Sequence, residues 1–353
     1  MTAGNEALPL APEAVVSLVP QRLRWRQILI SLVISLVLSV VLYLRIDVSA
    51  FTDSLRDVDY LLLAPFMVLH AMAWYVRAVR WRVLLTPFRA VSSTRLFRLV
   101  IIGAMISAVV PARAGEFWRA YSLGNQEGMS RSTVFGTIVV ERVLDGLVVA
   151  LLASVAALAI GPTSAMAILI SSMVILFTLA LGVVAVLARS ERAQALALGL
   201  VRSLVPNRFR PLYDEKASLF TLGLGALKDS RVFVGAVMLG VAVYATDAAS
   251  YWTLGEAFGM NVNPQSYLLV VAVGSLAIAL PISLGGIGPF EFFVQQALTL
   301  LGVSSALALA YAVFVHGLTL AFVGGLGLLL IWAGSSALAL RSKVQPVLGV
   351  PTE

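Results

Sequence analysis

Two apolar runs in this chain are too short to cross a membrane, and each breaks at a proline followed by a turn of glycine and glutamate. The first, Leu99–Val110, leads into Pro111-Ala-Arg-Ala-Gly-Glu116; the second, Leu268–Leu280, leads into Pro281-Ile-Ser-Leu-Gly-Gly-Ile-Gly-Pro-Phe-Glu291. The twelve residues of the first, if helical, cover roughly 18 Å, against a hydrocarbon core of about 30 Å. Proline ends a helix, glycine lets the backbone turn, and a carboxylate is then left at membrane depth. Interrupted hydrophobic segments at matching places in two halves of a membrane protein point to a transport site.

The surrounding sequence demands a membrane. Ile28–Leu44, Val143–Ile160, Ala165–Ala188 and Leu307–Trp332 reach or approach spanning length, and a chain with 60% hydrophobic and 12% charged residues excludes a soluble fold. The absence of cysteine removes disulfides, zinc–thiolate sites and thiol catalysis. The net charge of +7 comes from arginines beside apolar segments, the signature of membrane orientation, so no nucleic-acid partner is expected. Arg22, Arg24 and Arg26 precede the first run and no small-residue cleavage site follows Leu44, which predicts a retained signal-anchor helix.

Loop charge sets the expected topology. Residues 1–27 carry the three N-terminal arginines and are assigned to the cytoplasm. The loop Arg45–Tyr60 holds two arginines against Asp47, Asp53, Asp57 and Asp59, which places it outside. After a second span, about Leu61–Val76, come Arg77, Arg80, Arg82, Arg89, Arg95 and Arg98, read as a cytoplasmic loop. Arg113, Arg119 and Arg131 follow the first short run, so both of its flanks are basic and it is expected to enter and return as a re-entrant pair of half-helices. Val134–Ile160 and Ala165–Ala188 then cross out and back. The loop Arg189–Arg231 carries eight Lys/Arg against four carboxylates and is assigned to the cytoplasm. Within it Tyr213, Ala217, Phe220, Leu224 and Leu227 recur at helical spacing, which fits either an interfacial amphipathic helix or one packed under the bundle. Val232–Leu254 crosses outward, Gly255–Tyr267 has no Lys or Arg, and the second short run enters from outside.

The expected fold is therefore an all-α polytopic membrane protein of about six full transmembrane helices plus two re-entrant helical hairpins, arranged as an inverted repeat. One transmembrane domain covers residues 28–332, half A about 28–160 and half B about 165–332, with residues 333–353 as a cytoplasmic tail. The cell membrane is the expected location, with both termini cytoplasmic.

Ionisable residues inside apolar segments are costly and mark function or a paired network. Glu141 and Asp145 stand at i and i+4 on one helix face, so either an arginine lies between them or one is protonated; Arg142 lies about 100° around. Arg113 and Arg119 are the expected partners, locking the first hairpin to this helix, lining a transport path, or both. Asp247 lies within Val232–Leu254 between Tyr244 and Tyr251, which fits a hydrogen bond across helices or a proton relay. His70 and His316 are lone histidines for which an interhelical hydrogen bond is the simpler assignment. Neither has metal-ligand spacing, and no metal or other cofactor is expected. Gly285-Gly286-Ile-Gly288-Pro289 reads as a helix start with Glu291 in the first turn, either packed tightly or offering N–H groups to an anion, a role Glu291 itself can fill.

Four segments occur in order: Arg77-Ala-Val-Arg80-Trp81-Arg-Val-Leu-Leu85, Pro111-Ala-Arg-Ala-Gly115-Glu116-Phe-Trp-Arg119, Glu141-Arg142-Val-Leu-Asp145, and Pro281…Gly285-Gly286-Ile-Gly288…Glu291. Together they resemble the transmembrane region of lysylphosphatidylglycerol synthases and the related stand-alone flippase-like proteins, over roughly Ile28 to Trp332. The resemblance implies movement of a lipid between leaflets around central re-entrant segments. It carries Arg113, Gly115, Glu116, Arg119, Glu141, Arg142, Asp145 and Glu291 over as the candidate pathway, to which Asp247, Gly285, Gly286 and Gly288 are added from their own context. The synthases attach a large aminoacyl-transfer domain after the membrane part; about twenty residues follow Trp332 here, so aminoacyl transfer is not expected, and no catalytic residue is assigned.

The leading expectation is a lipid translocase whose substrate is a membrane lipid with an anionic phosphate headgroup. Arg113 and Arg142 would pair with the phosphate, and Glu116 and Glu291 would accept a cationic group or a proton. Two alternatives remain: a membrane glycosyltransferase using a lipid-linked donor, with Asp57 and Asp59 as an outer-face acidic pair, or a non-transporting accessory protein. The oligomeric state is left open.

Overall fold

A computed structural model describes residues 48–344, apart from 111–112, 161–163, 208–209, 280–282 and 284. The N-terminal segment, the first expected span Ile28–Leu44, the two turn prolines Pro111 and Pro281, and the last residues of the tail lie outside the described residues. Every element among the described residues is helical: α1 Val48–Arg56, α2 Leu63–Leu85, α3 Ser93–Val109, α4 Ala114–Glu127, α5 Arg131–Ile160, α6 Ser164–Arg189, α7 Glu191–Leu204, α8 Arg210–Leu224, α9 Ser230–Ala257, α10 Tyr267–Ala279, α11 Pro289–Leu300 and α12 Ser305–Val344. Short 3-10 turns precede α2, α9 and α10.

Four stretches are long and apolar enough to cross a bilayer: Tyr60–Leu85, Ser171–Arg189, Ser230–Ala257 and Ser305–Ala333. Helix α5 has 30 residues and carries Glu141, Arg142 and Asp145 in its first half. Large apolar side chains such as Leu158, Leu176, Leu179 and Leu328 stand exposed along these helices, as expected where lipid replaces water and the backbone is satisfied within each helix. The chain is an all-α polytopic membrane protein.

Side-chain caps set several boundaries. The Ser92 hydroxyl accepts from Arg95 N at 3.4 Å at the start of α3. Asp229 accepts from Arg231 N at 2.8 Å at the start of α9. Three apolar clusters join the helices. One runs through Phe66, Val148, Val243, Tyr267, Leu298 and Tyr311, tying α2 and α5 to α9 through α12. A second joins Trp81 and Leu85 to Leu96, Val100, Leu123 and Ile138, fixing α3 and α4 on α2 and α5. The third gathers Leu84, Val140, Leu144, Val184, Leu224 and Ala236.

Both broken runs form helical hairpins. In the first, α4 folds back so closely on α3 that a methyl at Gly115 would lie 1.7 Å from the carbonyl oxygen of Gly103, and Gly115 N–H donates to the Ser107 hydroxyl at 3.1 Å. In the second, α11 returns along α10, with the Phe290 ring filling the space a side chain at Gly274 would need. The two tips meet: a methyl at Gly285 would lie 2.9 Å from the carbonyl oxygen of Ala108.

Several expected boundaries shift. The second span does not end at Val76; α2 runs to Leu85, so Arg77, Arg80 and Arg82 belong to the helix rather than to a cytoplasmic loop. The reason is electrostatic, since carboxylates on α5 and α9 receive the first two. The first short run begins earlier, at Ser93, so α3 has 17 residues. The loop Arg189–Arg231 holds two helices rather than one. The face Tyr213–Leu227 packs on α5, where the Thr133 hydroxyl donates to Leu219 O at 2.9 Å, whereas α7 exposes Leu196, Leu200 and Leu204. Of the two readings of the amphipathic stretch, the packed one describes α8. Helix α12 continues to Val344, into the segment expected as a tail.

Candidate functional site

Helix α5 presents Glu141 and Asp145 on one face, and Arg80 from α2 lies between them. Its guanidinium donates to Asp145 at 2.5 Å and to Glu141 at 3.3 Å, with the Arg80 side chain 1% exposed. The alternative left open by the sequence, an arginine between the two carboxylates, is therefore the one realised. Arg119 of α4 donates to the other Glu141 oxygen at 3.0 Å and lies over the Trp81 ring at 4.0 Å. Arg142 closes the network against Glu141 at 2.6 Å and Asp145 at 3.2 Å. Beside this, Arg77 of α2 forks onto Asp247 of α9 at 2.5 and 3.5 Å. Asp247 thus takes part in a hydrogen-bonded ion pair across helices, with an arginine as the partner.

The expected partnership of Arg119 with Glu141 holds; that of Arg113 with Glu141 or Asp145 does not. Arg113 pairs instead with Glu116 at 3.4 Å, one turn along its own hairpin. Among the described residues it alone has a left-handed backbone without being glycine, at φ 54°, a conformation that costs roughly 1–2 kcal/mol and aims the residue at the turn. The same Glu116 oxygen also faces Arg142 at 3.6 Å, so one carboxylate oxygen serves two guanidinium groups, each with 31% of its side chain exposed.

The second hairpin contributes a different cluster. Glu291 accepts Gly288 N–H at 2.7 Å, closing the start of α11 on itself; the exposed N–H expected there as an anion site is already taken. The other Glu291 oxygen faces His316 Nδ1 of α12 at 2.6 Å, and His316 Nε2 faces the Gly285 carbonyl at 3.0 Å. His316 thus makes the interhelical bond expected of it. His70 accepts from Trp74 Nε1 at 3.1 Å, a bond within α2, and its Nδ1 is buried with no partner.

These groups wall one cavity of about 250 Å³. Arg113, Gly115, Glu116, Arg119, Glu141, Arg142, Asp145, Asp247, Gly285 and Gly286 all line it; Gly288 and Glu291 stand behind its edge and are joined to it through His316. Four arginines (Arg77, Arg113, Arg119 and Arg142) face four carboxylates (Glu116, Glu141, Asp145 and Asp247), and Arg80 behind the wall leaves the cluster with one positive charge in excess. Arg77 and Arg80 were missed by loop counting. Arg77 carried a signal, since it stands seven residues after His70 and three after Trp74 on one helix face, whereas Arg80 lies off that face and carried none. A larger apolar hollow of about 570 Å³ lies between α4, α5, α7 and α8, walled by Phe117, Phe135 and Phe220. No group of three or more His, Cys, Asp or Glu among the described residues is placed to hold a metal ion.

Known proteins bear on the chain in three ways. It is 28% identical over 348 residues to the glycosyltransferase AglD of Haloferax volcanii, across 88% of this chain and 55% of that protein, so the chain spans about half the length of that relative. Two UPF0104 membrane proteins of Methanothermobacter thermautotrophicus are 28% identical over 288 residues (75% of this chain, 82% of the relative) and 25% identical over 329 residues (87% and 96%). No solved structure is significantly similar. Residues 28–327 match the family of the lysylphosphatidylglycerol synthase transmembrane region, and the chain belongs to that family.

Proposed function

We propose that this protein is a lipid translocase in which the two hairpins open a polar path for an anionic headgroup. The observation that carries the reading is the pair Arg113 and Arg142. Both are partly exposed to the cavity, they share one Glu116 oxygen, and they sit in a cluster with a positive charge to spare. A headgroup phosphate between them would replace that shared contact with charge-assisted hydrogen bonds of its own. The hairpins are read as re-entrant from opposite faces of the cell membrane, with both termini cytoplasmic, and alternating access as one half rocking against the other. The cavity holds a headgroup and not a whole lipid, so the acyl chains stay outside in the bilayer.

Reconstituted protein carries the test. Arg113→Ala and Glu116→Ala should each abolish headgroup movement between leaflets of proteoliposomes while leaving expression intact; wild-type rates in both variants would sink the proposal. The name of the Haloferax relative favours a second reading, sugar transfer from a lipid-linked donor. It would rest on Asp57 and Asp59, and Asp59 already caps a turn by accepting Leu61 N–H at 3.0 Å. Full function after Asp57→Asn with Asp59→Asn discards it.

A further inference from the structure

The contacts of His316 count protons. A backbone carbonyl only accepts, so Nε2 facing Gly285 O at 3.0 Å must carry a hydrogen. An ionised Glu291 also only accepts: one oxygen takes Gly288 N–H at 2.7 Å and the other faces Nδ1 at 2.6 Å. Both ring contacts are satisfied only by an imidazolium facing a carboxylate or by a neutral ring facing a carboxylic acid. The two arrangements hold the same number of protons, one more than a neutral ring beside a carboxylate. His316 is 1% exposed and Glu291 9%, so the pair sits away from the outer surface, with His316 on the cavity wall.

We propose that Glu291 and His316 form a one-proton site that latches the glycine turn of the second hairpin against the end of α3. With the proton bound, His316 ties Glu291 and Gly285 together, and Gly285 rests on Ala108. When the proton leaves to solvent in the cavity, the neutral ring keeps one N–H for two acceptors, one contact becomes repulsive, and the turn is released. Among the described residues no other charged side chain is bonded to the pair, and the cavity that His316 lines also holds Arg113, Glu116 and Arg142, which pair among themselves and with the charges around Glu141. Helix α10 and residues Leu99–Val109 of α3 carry no charged side chain, and Glu291 is the only one on α11. Asp53 and Arg56 on α1 pair with each other at 3.5 Å. Asp247 on α9 is held by Arg77 and Glu256 accepts from Trp252, while His70 on α2 is bonded to Trp74.

The latch rests on the translocase reading only for its use. If the cavity takes an anion at Arg113 and Arg142, the bound negative charge favours the protonated pair, and by linkage the proton favours anion binding equally.

The chain has no cysteine, so one placed at Ser283, beside the turn, reports the latch alone. The readout is the rate of its alkylation by a membrane-impermeant reagent in reconstituted protein, divided by that of a cysteine at exposed Gln265 to remove the thiol's own titration. With the native pair, the ratio should rise about tenfold as the pH is raised, with the slope of a single proton. Glu291→Gln keeps every hydrogen bond of the loaded pair without a releasable proton, so the ratio should stay low and flat. A flat ratio with the native pair, or the same titration in Glu291→Gln, overturns the latch. If the latch titrates while no lipid moves in proteoliposomes, the latch stands and the translocase reading fails. If lipid moves while the native ratio is flat, the reverse holds.

Discussion

Arg80 shows what one residue decides. It pairs with two carboxylates in a largely buried site, and Glu141 and Asp145 would otherwise repel on one helix face. Breaking a buried ion pair by deleting one partner costs about 3–5 kcal/mol, because the remaining charge is stranded. Arg80→Ala should therefore lower stability in detergent by that order, measured by thermal or denaturant unfolding. The loss is moderated by Arg119 and Arg142, which still reach Glu141. Arg113 separates position from charge. Its backbone at φ 54° suits glycine, so Arg113→Gly should be more stable than Arg113→Ala by about 1–2 kcal/mol, although both lose the proposed headgroup contact. Equal stability of the two would remove strain from the account of this residue. Glu141, Arg142 and Asp145 were legible in the sequence, because ionisable residues in an apolar run stand out. Arg80 was not. An arginine at the end of an apolar run looks the same whether it faces a headgroup layer or a carboxylate that arrives 61 residues later.

At the scale of elements, the hairpins depend on close backbone approach. Gly115→Ala would put a methyl 1.7 Å from Gly103 O, which forces α4 off α3 and should lower folded yield sharply. Gly199→Ala on α7 meets nothing within 4 Å and removes a flexible residue from a helix interior, so it should gain roughly 0.5–1 kcal/mol. Size-exclusion profiles and melting temperatures of the two variants, compared side by side, check both. The breaks themselves were readable, since proline and glycine act locally. The end of α2 and the start of α3 were not, because counting arginines as loop charge measures composition and not where a helix stops. The same limit applied between Arg189 and Arg231, where Ser190 starts a helix before the predicted one by accepting from Ala193 N at 3.2 Å.

For the whole molecule, the proposed inverted arrangement makes a geometric demand. Single cysteines at Ala114 and Ile287, one on each hairpin, should react with impermeant thiol reagents from opposite sides of the membrane; labelling from the same side refutes the inverted pair. The amino-acid sequence by itself determined the membrane class, the long apolar helices, the two broken runs and the carboxylates that do not belong in hydrocarbon. Run length, breaker residues and the cost of burying charge are properties of a segment and its immediate solvent, so they can be read without a fold. Only the tertiary structure decided which arginine meets which carboxylate, that Asp247 is paired, that Glu291 closes its own helix start with His316 behind it, and that the tips of the two broken runs touch at Gly285 and Ala108. Apart from the local bond of Glu291 to Gly288, those choices join residues far apart in the chain, and they depend on how whole helices pack, which no local pattern encodes.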